Sequence, residues 1–165
     1  MPGGWLSSAI QGTVLALLTH SAVAADDNPL VVPGANSGYS LAECIQSAAT
    51  FYGVSDLLIY VVAMQESGMD PYALNSNSED IGIMQINSRW LPTLKQKAGI
   101  TRNDLFDPCV NIHVGAWVLR GNMNRYGPTW RAVGAYNASA RRPDLRERYA
   151  RKIRKALSKI VGTDT

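Results

Sequence analysis

The segment Leu57-Leu58-Ile59-Tyr60-Val61-Val62-Ala63-Met64 constrains this chain more than any other, because a helix wound from it is apolar around nearly its whole circumference. Such a helix cannot lie on a surface, so it must be buried with other elements packed around it. Asp56 stands before it as a candidate cap, and Gly68 follows it as a stop. The run ends at Glu66, which is followed at once by Ser67 and Gly68. A carboxyl placed there loses water from one side and meets an open turn on the other, which raises its pKa and suits a general acid. The partial negative charge of a helix C-terminus acts in the same direction. The plain alternative, that Glu66 is an ordinary helix former, is disfavoured by position, since a helix C-terminus favours Lys or Arg over a carboxylate.

The chain around this helix has 165 residues, enough for one domain with a single core. Its 46% hydrophobic and 18% charged content excludes a disordered or fibrous polymer. A net charge of +3 and a pI of about 9.0 make it mildly basic, a balance that suits an anionic polymer surface. Residues 1–24 contain no Asp, Glu, Lys or Arg, and the apolar run Val14 to Leu18 precedes small residues at Ala22 and Ala24. That pattern predicts an export signal cut near Ala24; the alternative is a buried apolar N-terminal helix, and the run is too short for a membrane anchor. Residues 25–39 read as a flexible arm, 40–160 as the domain and 161–165 as a tail.

Within the domain, Ser40-Leu41-Ala42-Glu43 forms a capping box, and the apolar spacing predicts a helix from Leu41 to Tyr52 stopped by Gly53. The stretch from Asp70 to Asp80 is polar and turn-rich, suiting a surface loop or a short β-hairpin before Gln85. Asp107-Pro108 is a cap followed by proline at the first helical position, opening a long helix toward Tyr126. Leu145, Tyr149, Ile153 and Leu157 repeat every four residues among Arg and Lys, which predicts a basic amphipathic helix. Its charge reads first as a solvated face; Asp144 and Glu147 dilute it, and no nucleic-acid partner is expected.

Cys44 and Cys109 are the two cysteines, and in an oxidising compartment an even count favours a disulfide across their 65-residue separation. A thiol nucleophile would need His113 as its partner, and that histidine lies in a helical segment where a core or surface role is the default. No metal centre or cofactor is expected.

Three segments resemble the signatures of the lytic transglycosylase family related to goose-type lysozyme: Gln65-Glu66-Ser67-Gly68, Asp80-Ile81-Gly82-Ile83-Met84-Gln85-Ile86-Asn87-Ser88 and Gly134-Ala135-Tyr136-Asn137-Ala138. The likeness runs from about Ser40 to Leu157. Asp107 to Ile112 and Gly115-Ala116-Trp117 are similar to the small exported group that accompanies specialised secretion, conjugation or pilus machines. One departure is Ser139, where the family usually has glycine.

The resemblance implies a mainly α-helical, lysozyme-like fold. It further implies cleavage of the β-1,4 bond between N-acetylmuramic acid and N-acetylglucosamine in peptidoglycan, in the periplasm of a Gram-negative bacterium, with no stable membrane insertion after the signal is removed. Glu66 would act first as acid and then as base, leaving a 1,6-anhydro end. Gln85, Asn87, Asn137 and Tyr136 would contact sugar, with Tyr136 able to donate to Glu66; Met84 would line the groove, and Ser67 would hold the turn or touch substrate. Asp80 also fits c-type lysozyme, whose corresponding stretch resembles Gln85-Ile86-Asn87-Ser88-Arg89-Trp90, and it reads either as a second carboxylate or as a loop residue capping a turn. A hydrolytic lysozyme and a non-catalytic peptidoglycan-binding assembly factor are the alternatives.

Overall fold

The computed structural model describes residues 28–34 and 38–162, so the predicted export signal and the last three residues of the tail lie outside the described residues. Six helices dominate: α1 (Leu41–Tyr52), α2 (Asp56–Ser67), α3 (Leu91–Ala98), α4 (Pro108–Tyr126), α5 (Trp130–Asn137) and α6 (Pro143–Val161). Between α2 and α3 lies an antiparallel sheet of three two-residue strands, β1 (Leu74–Asn75), β2 (Asp80–Ile81) and β3 (Ile86–Asn87). The expected hairpin therefore gains a third strand, with Asp80 opposite both Asn75 and Asn87.

The capping box of α1 forms as its residues require. The Ser40 side chain accepts from the Glu43 N–H, and a Glu43 oxygen accepts from the Ser40 N–H at 2.8 Å. Gly53 then takes a left-handed φ of 59° and ends the helix. For α2 the cap is Ser55 and not Asp56, which is already the first helical residue; the serine oxygen accepts from Leu58 N–H. A hydroxyl one residue earlier is better placed to reach a free N–H of the first turn, while the Asp56 charge favours that same positive end.

Most of α2 is buried, with Leu58, Ile59, Val61, Val62 and Ala63 packed against α1, α4 and α6, but it is not enclosed on every side as its composition predicts: Tyr60 and Met64 form an exposed stripe that no other element covers. Burying one such aliphatic side chain is worth about 1.5–3 kcal/mol. The other central element, α4, opens on the Asp107 cap predicted from sequence and is buried from Cys109 through Trp117. Cys44 on α1 and Cys109 on α4 form a disulfide with Cα atoms 5.1 Å apart, closing a loop whose cross-linking stabilises by about 4 kcal/mol.

The arm expected to be flexible is docked where it is described. Leu30 is buried, the Tyr52 hydroxyl donates to the Val31 carbonyl at 2.7 Å and accepts from its N–H, and His113 Nδ1 meets the same carbonyl at 3.1 Å. Turn-rich composition marks the absence of a helix or strand, whereas Leu30 and the Val31 backbone find apolar and polar partners on the core. His113 is thus a core histidine, its pKa lowered by burial. Among the described residues no helix is long and apolar enough to cross a membrane.

Candidate active site

Glu66 lies in the last turn of α2, ahead of Gly68, whose left-handed φ of 66° ends the helix. Ser67 ties that end down: its hydroxyl donates to the Ile83 carbonyl at 2.7 Å and accepts from Asp70 N–H at 3.0 Å. These bonds make Ser67 the clasp between the acid's helix and the loop after β2.

The Glu66 carboxyl is raised from 4.5 to about 7, chiefly by burial. The Tyr149 hydroxyl, donating to Oε1 at 2.5 Å, opposes the rise, the negative charge of Asp80 adds to it, and Lys152 draws it down. The carboxyl therefore keeps its proton to higher pH than an ordinary Glu, as a general acid working near neutral pH requires. Sequence reasoning missed Tyr149 as a site residue, because at fourfold spacing with Leu145, Ile153 and Leu157 it reads as part of the apolar stripe of α6. Its hydroxyl was the available signal, since a buried tyrosine needs a polar partner. Burial beside Glu66 holds its own pKa well above the usual value.

The expected Tyr136 to Glu66 hydrogen bond does not form. The Tyr136 hydroxyl donates instead to the Met84 carbonyl at 2.8 Å, satisfying a buried acceptor in the loop after β2, while the residue lines the cleft. Met84 itself is fully buried and does not line the groove. Its thioether packs against Gly115 of α4, where any Cβ would overlap the sulfur. Gly82 is required for similar reasons: its φ is 76°, and a Cβ would collide with the Asn111 amide and the Leu105 carbonyl. Asn111 is wholly buried and pins this loop, accepting from Met84 N–H at 2.9 Å and donating to the carbonyls of Ile81 and Leu105.

The cleft, of about 190 Å³, brings together Glu66, Asp80, Gln85, Asn87, Tyr136 and Asn137 from α2, the sheet and α5. Ser78, Arg89, Trp90 and Val118, which sequence reasoning left out of the site, line it too. Asp80 is held by the Ser78 hydroxyl at 2.5 Å and by Asn87 Nδ2 at 2.7 Å, so Asn87 orients the second carboxylate across the β2–β3 pair. Gln85 sits at a left-handed φ of 50° with its amide donating to the carbonyls of Gly82 and Ala73, a strained backbone at the cleft wall. Near the Ser139 departure, Arg146 Nε on α6 donates to the Ala138 carbonyl at 2.9 Å and fixes the chain just after Asn137. On its other side, Glu66 borders a shallow depression with Asn137, Arg148, Tyr149 and Lys152. One half-buried carboxyl of raised pKa between two openings, with Asp80 lining the same cleft, is suited to acid catalysis on an extended substrate.

The sequence matches the family described as "Transglycosylase SLT domain" over residues 43–157. It is 44% identical over 127 residues to "Invasion protein IagB" of Salmonella typhimurium, a match covering 73% of this chain and 79% of that protein. It is 34% identical over 128 residues to a "Peptidoglycan-binding-like protein" of Escherichia coli O157:H7, covering 70% of this chain and 76% of that one. Among solved structures, an inactive mutant of the lytic transglycosylase Slt from Pseudomonas aeruginosa shares the fold, with a TM-score of 0.62 at 18% identity over 74% of this chain and 24% of that much longer one.

Proposed function

The chain belongs to the transglycosylase SLT domain family, and from that premise we propose that it is a lytic transglycosylase cleaving the β-1,4 bond between N-acetylmuramic acid and N-acetylglucosamine in peptidoglycan. The observation that carries this reading is the Glu66 carboxyl, pushed up to about 7 by burial at the edge of the cleft. Tyr149 occupies Oε1 and leaves the other oxygen for the substrate. Protonated Glu66 gives its proton to the glycosidic oxygen as the bond from that oxygen to C1 breaks. The Glu66 carboxylate then takes the proton of the muramic C6 hydroxyl as O6 closes onto C1, which yields the 1,6-anhydro ring and restores the acid. No water is consumed.

The positive charge at C1 is offset by the substrate's own acetamido group and by Asp80, whose place in the same cleft is supported by the holding contacts from Ser78 and Asn87. The same placement of Asp80 favours the second reading, a hydrolytic lysozyme in which water attacks C1. Peptidoglycan as substrate is supported by the name of the Escherichia coli relative, and service to an invasion-related secretion, conjugation or pilus apparatus by that of the Salmonella one. An exported, periplasmic location follows from such a substrate. Glu66→Gln tests the central assignment: clearing of purified sacculi falls by three orders of magnitude or more. A variant that still clears them refutes the role of Glu66, and a wild type that binds sacculi without clearing them supports the binding-protein alternative.

A further inference from the structure

Beyond Trp90 the cleft does not end. Trp90 and Val118 line both the Glu66 cleft and a second groove of about 410 Å³ between α3 and α4. One wall carries Thr93 and Lys97, one turn apart on α3; the other carries Trp117, Gly121 and Arg125, at successive four-residue steps on α4. The docked arm closes it, with the Trp117 indole N–H donating to the Asn28 carbonyl at 2.9 Å.

Two features of this groove suit it to a ligand. Gly121 interrupts the interior of a 19-residue helix with the poorest helix former after proline, yet a Cβ there would meet nothing within 4 Å. What the absent side chain provides is bare backbone on the groove wall, open to a ligand. The other feature is charge: Lys97 and Arg125, each in the last turn of its helix, are exposed on opposite walls; Arg125 also lies over the Tyr126 ring at 5.4 Å, and none of the ion pairs among the described residues uses either cation.

We propose that this groove binds the carboxylate-bearing peptide that branches from the muramic acid of the glycan strand, resting on the reading of the adjoining cleft as a peptidoglycan-cleaving site. Stripped of its peptide, the muramic sugar keeps a single lactyl carboxylate close to its ring, whereas the peptide reaches further and brings several carboxylates to Lys97 and Arg125 and methyl groups to Val118 and Trp117. Continuity at Trp90 lets one substrate molecule occupy both sites.

Tryptophan fluorescence reads the binding, with a soluble disaccharide carrying its peptide compared with the same disaccharide after the peptide is removed. The peptide-bearing ligand binds about fivefold to tenfold more tightly, a gap that narrows at 0.5 M salt. It closes in the Lys97→Gln/Arg125→Gln double variant and in Gly121→Phe, whose ring fills the groove. Gly121→Ala, which folds at least as stably as the wild type, shows that the position tolerates a side chain. Equal affinity for the two ligands, no saturable binding of the peptide-bearing one, or a gap that persists in the double variant overturns the proposal. Cleavage of peptide-bearing and peptide-stripped strands is measured alongside. If neither is cut, the functional reading fails while the titration still decides the groove.

Discussion

Replacing Glu66 by Gln keeps the side-chain volume and an oxygen facing the Tyr149 hydroxyl, but removes the proton equilibrium that burial has displaced from 4.5 to about 7. In the pH interval between those values the folded protein binds the Glu66 proton more tightly than the unfolded chain does, so wild-type stability falls as pH rises through it. The direction is opposite to that of a salt-bridged carboxylate. An interval of about 2.5 pH (7 minus 4.5) at 1.36 kcal/mol each gives roughly 3 kcal/mol, and partial exposure of the side chain brings this to roughly 2 kcal/mol. The assay is urea unfolding of both proteins at pH 4, 5, 6, 7 and 8, reading the difference in unfolding free energy. Glu66→Gln gains on the wild type progressively from about pH 4.5 and levels off above about pH 7. A difference that stays flat, or that moves in favour of the wild type as pH rises, refutes a buried, elevated carboxyl.

Tyr149→Phe removes the hydrogen bond that draws the Glu66 pKa down, so the alkaline limb of kcat/KM moves up by about one pH unit in a sacculus-clearing assay; an unmoved or lowered limb counts against the contact. Asp80→Asn lowers kcat by about a hundredfold with the fold intact by circular dichroism, as the proposed role of Asp80 in offsetting charge at C1 requires, whereas a loss below threefold leaves Asp80 as a turn residue. Gly82→Ala costs at least about 3 kcal/mol in urea unfolding, since it combines a left-handed φ of 76° with a collision against Asn111 and Leu105. Stability near that of the wild type would show that the loop after β2 yields more readily than its packing suggests.

Those features that depend on residues near one another in the chain were legible in the sequence. Ser40 and Glu43 capped α1, the uninterrupted apolar run made α2 a core helix, and Asp107-Pro108 opened α4. The displaced pKa of Glu66 was legible too, because its first cause is burial at the end of that run. What escaped was long-range. Tyr149 meets Glu66 across 83 residues, and Tyr136 reaches the Met84 carbonyl across 52, so each phenol's partner depends on how α5 and α6 close over α2. The pairing of Asp80 with Asn87 depends on strand register in a sheet too short to leave an alternating pattern. The arm gave no periodic signal because one apolar side chain, Leu30, and single polar groups of Asn28 and Val31 anchor it, too few to make a pattern.

The most direct test of the account is mass spectrometry of the fragments released from purified peptidoglycan in water enriched in oxygen-18. Closure of O6 onto C1, with Glu66 serving as acid and then base, predicts 1,6-anhydromuramic ends that carry no label. Reducing muramic ends bearing one labelled oxygen would contradict it, and would instead make Glu66 and Asp80 the pair of a hydrolase.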